Sequence, residues 1–261
     1  MSGGYDPGYF PALFDVEDRH FWFTTRNLAL EAVIGPLAAQ LPAKSRVLEI
    51  GCGTGKTLQA LDVACPNAII VGMDLFLEGL EYARRRTQVP LVQGTIEHAP
   101  FARPFDLVGM FDVLEHIVND AASLREVHAL VAPGRHLVIT VPAHKVLWSG
   151  FDEESHHCRR YEPDELRERL ADAGFEVEYL TLFMATLYPI VRLSRGMAEI
   201  LRRGRRRLAL TERSAVLSDI KVRPVVNGLL GFALKQEIRF LRQRWQLPLG
   251  TSLLAVARRL P

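Results

Sequence analysis

Three glycines at alternate positions, Gly51, Gly53 and Gly55, lie between an apolar run, Val47-Leu48-Glu49-Ile50, and a helical pattern opening at Thr57. A strand that turns into a helix through glycines leaves backbone N–H groups free at the helix start. No Cβ then keeps a ligand off the main chain. The pattern predicts a ligand-binding turn. Asp74 closes a second apolar run, Ala68 to Met73, and lies 19 residues beyond Gly55. That is close to the spacing of about 20 residues at which an acid meets ribose hydroxyls in dinucleotide folds. A carboxylate can accept from both vicinal hydroxyls. The alternative role for a strand-end acid is a helix cap.

A second concentration of chemistry runs from Trp148 to Tyr161. It brings Asp152, His156, His157, Arg159, Arg160 and Tyr161 together after the fifth strand. Three readings compete. Asp152 and His157 could form an acid–imidazole pair that takes a proton from a substrate hydroxyl. Arg159 and Arg160 could clamp a phosphate or carboxylate. The cluster could also only rigidify a lid through internal salt bridges. Asp152, His156 and His157 offer no fourth ligand, and no metal is expected.

The elements that must carry these residues are legible from periodicity. Strands are predicted at Leu91–Gln93, Phe105–Asp112, His136–Val141 and Glu176–Phe183, besides the two already described. Helical patterns fall between them, which means a parallel sheet with helices on both faces. Leu28 to Leu41 reads as an amphipathic helix behind the aromatic stretch His20–Arg26. The dinucleotide fingerprint would need glycine where Lys56 stands, and the phosphate-loop motif would need glycine in place of Ile50.

The string Glu49-x-Gly51-x-Gly53-x-Gly55 resembles instead the first motif of class I S-adenosylmethionine-dependent methyltransferases. Gly94-Thr95-Ile96-Glu97-His98-Ala99-Pro100-Phe101 resembles that family's adenine loop, with Thr95 where an acid is usual and Ile96 on the adenine face. Phe105-Asp106-Leu107-Val108 through Val113-Leu114-Glu115-His116 resembles a third family motif. The resemblance implies a Rossmann-like seven-stranded sheet of order 3-2-1-4-5-7-6, with S-adenosylmethionine as cofactor and S-adenosylhomocysteine as product. It implies cofactor contacts from Arg26, Glu49, Gly51, Cys52, Gly53, Gly55, Asp74, Leu75, Thr95, Ile96 and Phe111. Arg26 would reach the cofactor carboxylate or else stay in solvent. His116 would act as a base or order the loop beside the cofactor. The lid pattern W-S-x-x-D-x-x-x-x-H-x-R-R-Y resembles a subgroup associated with glycans, glycolipids or natural products. In that light His157, Asp152, His116 and Tyr161 are the catalytic candidates, and Trp148, Arg159 and Arg160 the substrate-binding ones. Methyl transfer to oxygen is expected. The alternatives are a cofactor-binding protein that activates a partner, and a non-methyl-transferring enzyme on the same scaffold.

With 261 residues, 48% of them hydrophobic, the chain is long enough for one large domain with an insertion. Cys52, Cys65 and Cys158 show no pairing pattern, which suits a reducing cytoplasm, and no leader peptide is expected. Three parts are predicted: an N-terminal helical cap over 1–45, a core over 46–183 plus 249–261, and a helical insertion over 184–248. The core's last strand is Ser252–Arg258, antiparallel to the sixth. The insertion contains 14 Lys and Arg against four acids, a charge of +10 in a chain of +2 overall. A basic amphipathic segment suggests an anionic partner: a lipid-linked acceptor, or the inner membrane face approached peripherally. Its alternative is a solvated basic face. Nucleic acid is disfavoured, because no aromatic residues interleave the arginines.

Overall fold

The computed structural model describes residues 6–204 and 222–260, with side chains described outside 196–204. Seven strands form one sheet: β1 Arg46–Ile50, β2 Ile69–Asp74, β3 Leu91–Gln93, β4 Phe105–Phe111, β5 Val131–Pro142, β6 Phe175–Phe183 and β7 Ser252–Arg259. Their order is β3-β2-β1-β4-β5-β7-β6, as the sequence predicts. β1 to β5 are parallel neighbours, while β7 runs antiparallel to both β5 and β6.

The central strands are apolar at consecutive positions because helices cover both faces. Val47, Leu107, Val138 and Val256 point to one side, onto α2 (Phe21–Ala38), α3 (Lys56–Ala64) and α9 (Pro224–Arg242). Leu48, Val108, Leu137 and Leu253 point to the other, onto Leu124 and Val127 of α5 (Asp120–Leu130) and Leu166 and Leu170 of α7 (Pro163–Asp172). The C-termini of the six parallel strands therefore open onto one crevice, where open α/β sheets bind ligands.

α2 differs from its expectation. It starts at Phe21 rather than Leu28, and its buried positions, polar Thr25, Arg26 and Asn27 among them, run round nearly its whole circumference. The reason is tertiary: α3 and the sheet hold one side and α9 covers the other. Asn227 of α9 accepts from the Phe21 N–H at 2.8 Å and donates to the Arg19 carbonyl at 2.9 Å, pinning the start of α2. β5 also starts earlier than predicted, because Val131 already pairs with Phe105 before an irregularity brings His136 opposite Leu107. Pro133-Gly134 thus sits inside the strand's span.

Between β6 and β7, within the segment expected to be a helical insertion, the described residues hold two helices, α8 (Leu187–Gly204) and α9. Glu237 of α9 accepts from the N–H groups of Ala185 and Thr186 at 2.9 Å each, anchoring the entry to α8. Of the basic run Arg202–Arg207, Arg205, Arg206 and Arg207 lie outside the described residues. No described helix is long and apolar enough to cross a membrane.

Candidate active site

The glycine turn hangs from the end of β2. The N–H groups of Gly51 and Cys52 both donate to the Met73 carbonyl, at 2.8 and 3.1 Å. Gly51 has φ +75°, and a Cβ there would stand 2.3 Å from a Val113 methyl. Gly55 caps α3 in the left-handed region, with φ +78°. Asp74 is buried, and its carboxylate accepts from the Gly53 N–H at 2.7 Å and the Phe76 N–H at 2.8 Å. Burial pushes its carboxyl pKa up, against the pull of those backbone donors. Asp74 thus caps both the turn and the segment leading into α4 (Leu77–Ala83), and it still faces the crevice.

That crevice is a cavity of about 1470 Å³. Its floor is Ile50, Gly51, Cys52 and Gly53. One wall is Asp74, Leu75, Thr95 and Ile96, and another is Phe111, Asp112 and Val113. Thr95 Oγ1 is already accepting from the His98 N–H at 3.3 Å, which shapes the loop. Arg26 reaches in from α2. It donates to Asp112 at 2.8 Å and stacks 5.0 Å from the Trp22 ring centroid, while its Nε is buried without a partner.

Beneath the turn, Glu49 is fully buried. One carboxylate oxygen accepts from the Thr57 hydroxyl; the other, Oε2, has no partner. Loss of water pushes its pKa up to about 8 despite the Thr57 hydrogen bond and nearby Arg26.

The lid begins with a short helix, α6 (Gly150–Glu154), capped by Ser149 and Asp152 in reciprocal fashion. Asp152 is fully buried and accepts from His157 Nδ1 at 3.0 Å and Arg160 Nε at 2.7 Å. Burial alone would raise its pKa, but these two partners hold it below the usual carboxylate range. An ionised Asp152 only accepts, so His157 Nδ1 carries a proton, and in the neutral ring the lone pair is on Nε2. His157 faces His116 edge-to-face at 4.8 Å between centroids. Burial, with His157 adding to it, drives the His116 pKa down to about 3, so its imidazole stays neutral.

Most of the residues singled out from sequence line this cavity: Arg26, Gly51, Cys52, Gly53, Asp74, Leu75, Thr95, Ile96, Phe111, His116, His157 and Arg160. Several do not. Glu49 lies under the turn, Gly55 caps α3 away from the cavity lining, and Asp152 stands behind His157. Tyr161, expected as catalytic, is fully buried with its hydroxyl donating to Asp120 at 2.9 Å, a structural position. Arg159, expected on substrate, pairs with Asp120 at 2.7 Å and donates to the Val118 carbonyl. Trp148 lies at the surface, its indole N–H on Glu153. The trio Asp152, His156 and His157 does not converge. Among the described residues the metal-ligating side chains that come together are Glu115, His116 and His157.

Sequence reasoning passed over α1 (Phe10–Val16), which roofs the turn with Tyr9, Phe10, Leu13 and Glu17. Arg86 locks it down by pairing with Glu17 and donating to the Phe14 carbonyl at 2.6 Å. The usable signal was the spacing Phe10, Leu13, Glu17, one helical face. Leu187, Ile190 and Val191 of α8 and Leu230 of α9 complete the far wall.

A methyltransferase-domain family model matches residues 21–180, more than half of the chain. The chain therefore belongs to the S-adenosylmethionine-dependent methyltransferases. Among curated proteins, it is 35% identical over 99 residues to the ubiquinone biosynthesis O-methyltransferase of Vibrio vulnificus, covering 35% of this chain and 41% of that protein. It is 31% identical over 140 residues to the trans-aconitate 2-methyltransferase of Azoarcus, covering 52% and 53%. The matches thus span about half or less of those relatives' length. A solved phosphoethanolamine N-methyltransferase 2 of Haemonchus contortus, in complex with phosphomonomethylethanolamine and S-adenosylhomocysteine, shares the fold. It superposes with TM-score 0.56 at 18% identity, covering 90% of this chain and 52% of that one.

The residues present fit the cofactor. The sulfonium and ammonium groups are cationic, and Asp74 and Asp112 line the cavity beside the turn. The unpartnered Glu49 Oε2 is an acceptor beneath the turn. Asp74→Ala should weaken S-adenosylmethionine binding by about 1–3 kcal/mol, measured calorimetrically; unchanged affinity would remove Asp74 from the cofactor site. Glu49 makes a separate pH prediction. Folding raises its pKa from 4.5 to about 8, so its contribution is full below the lower value and is lost as pH rises through the higher. The ligand-free wild type should lose thermal stability between about pH 5 and pH 9, and Glu49→Gln should flatten that decline. Parallel melting curves for the two proteins would show that Glu49 is not the group responsible.

Proposed function

We propose that the protein transfers a methyl group from S-adenosylmethionine to an oxygen of a small-molecule, glycan or lipid-linked acceptor, with His157 as the general base. The Asp152–His157 pair at the cavity wall carries this reading. The bound cofactor supplies an electrophilic methyl already activated by positive sulfur. The chain's own residues then have two tasks, positioning and proton removal. The glycine turn and Asp74 hold the donor at the strand ends. In the neutral ring, with Asp152 holding Nδ1–H, His157 Nε2 accepts the acceptor's hydroxyl proton. The resulting imidazolium is stabilised by Asp152, which Arg160 keeps ionised. α1 and the lid exclude water, joined where the Tyr9 hydroxyl donates to Glu154 at 2.7 Å. His157→Ala should lower the methyl-transfer rate by about 10² or more at nearly unchanged cofactor affinity. A small rate change with a loss of thermal stability would make the cluster structural.

A specific observation supports an acceptor drawn from an anionic lipid surface. Val225, Leu229 and Phe232 form an exposed apolar stripe on α9, and Ile190 and Leu193 are exposed on α8. Arg192, Lys235, Arg239 and Arg242 are exposed on the same two helices. Apolar residues of α8 and α9 also reach the cavity wall, so one end of the site lies beside this surface. Each basic residue at an anionic membrane contributes about 1 kcal/mol, screened beyond roughly 8 Å at physiological salt. Co-sedimentation with liposomes should rise with anionic lipid, fall with added salt, and drop in Leu229→Ser/Phe232→Ser. A wild type that ignores anionic liposomes at low salt would leave a soluble acceptor.

A further inference from the structure

We propose that Glu115, His116 and His157 form a binding site for one divalent transition-metal cation, with zinc the best fit to its donors. The ligating atoms of the three side chains all lie within 4.8 Å of one another. Glu115 and His116 come from the turn Leu114–His116 that follows β4, and His157 from the lid after α6. The two segments are clamped by the Cys158 N–H, which donates to the Glu115 carbonyl at 2.7 Å. All three residues line the cavity, so a cation has both a route in and an open coordination position.

Two further observations point to a cation. Glu115 is 1% exposed, and its Oε2 is buried without a hydrogen-bond partner. A buried carboxylate oxygen normally finds a donor, and a metal ion supplies the missing charge. Moreover, His157 is oriented for ligation. Asp152 holds its Nδ1 at 3.0 Å, leaving Nε2 for the cation, and this carboxylate–histidine support is the usual outer shell of a metal-bound imidazole. Two imidazoles and one carboxylate with an open fourth position are a zinc donor set of the catalytic kind. Metal bonds of about 2.0–2.2 Å require the ligating atoms to draw closer than they now stand.

This site goes beyond the methyl-transfer reading and competes with it for His157. With the cation bound, the Nε2 lone pair is committed to the metal. His157 therefore serves as the base of the proposed reaction only in the cation-free form of the site. Zinc binding can be measured without turnover, so the site and the methyl-transfer reading fail separately.

The test is titration of the chelator-stripped full chain with zinc chloride against a chromophoric competitor, alongside cobalt(II) substitution read by visible absorption. Wild type should bind one zinc and give the intense d–d bands of a four- or five-coordinate cobalt site. Glu115→Gln and His157→Ala should each weaken zinc by about tenfold or more, while His156→Ala, at an exposed neighbouring histidine, should not. Wild-type affinity no greater than that of Glu115→Gln/His157→Ala would overturn the proposal. If those variants do not fold, the wild-type cobalt spectrum decides, and bands of six-coordinate aqueous cobalt alone would also overturn it.

Discussion

A carboxylate buried away from water must find its hydrogen bonds in protein, and Asp152 finds four: from the backbone and hydroxyl of Ser149, from His157 and from Arg160. Losing one donor leaves a buried charge under-solvated, which costs more than an average hydrogen bond contributes. The constraint is therefore strict. It closes α6 at one end, fixes the His157 tautomer at the other, and draws Arg160 inward, where it also donates to the Ala143 carbonyl at 3.1 Å. Asp120 does the same work one layer out, gathering Arg159, Arg169 and the Tyr161 hydroxyl. Two buried acids thus turn a polar segment into a rigid wall of the cavity.

The opposite wall is organised by backbone rather than by charge. The glycine turn is tied to the Met73 carbonyl and to Asp74, so its geometry follows from the register of β1 against β2. Parallel strands place the turn, the end of β2 and the turn after β4 at one edge of the sheet. The antiparallel β7 lets the chain return after α8 and α9, which puts an apolar, basic surface beside the same crevice. The glycine turn, the histidine of the lid and the apolar, basic surface consequently meet at one sheet edge.

What was legible in the sequence is what local rules determine. Gly51, Gly53 and Gly55 need positive φ, and Asp74 must end a buried strand, so both were readable from type and spacing. The strand order followed from recognising that pattern, since β6 and β7 carry the remaining alternation. What was not legible depends on distant partners. Tyr161 and Arg159 look chemical in a line of text, yet Asp120, some forty residues away, takes both. α2 reads as amphipathic because nothing in its own sequence shows that α9 will cover it. Glu115 reads as part of a family motif, and only folding shows it beside His157 with an oxygen unpartnered.

In the proposed reaction the donor bound at the glycine turn presents its sulfur to His157 across the cavity. A crystal structure with S-adenosylhomocysteine tests this most directly. The account predicts the ribose on Asp74, the homocysteine over Gly51 and Gly53, and the sulfur facing His157 with room between them for an acceptor oxygen. A sulfur turned toward α1, with the lid histidine out of reach behind protein atoms, would contradict it.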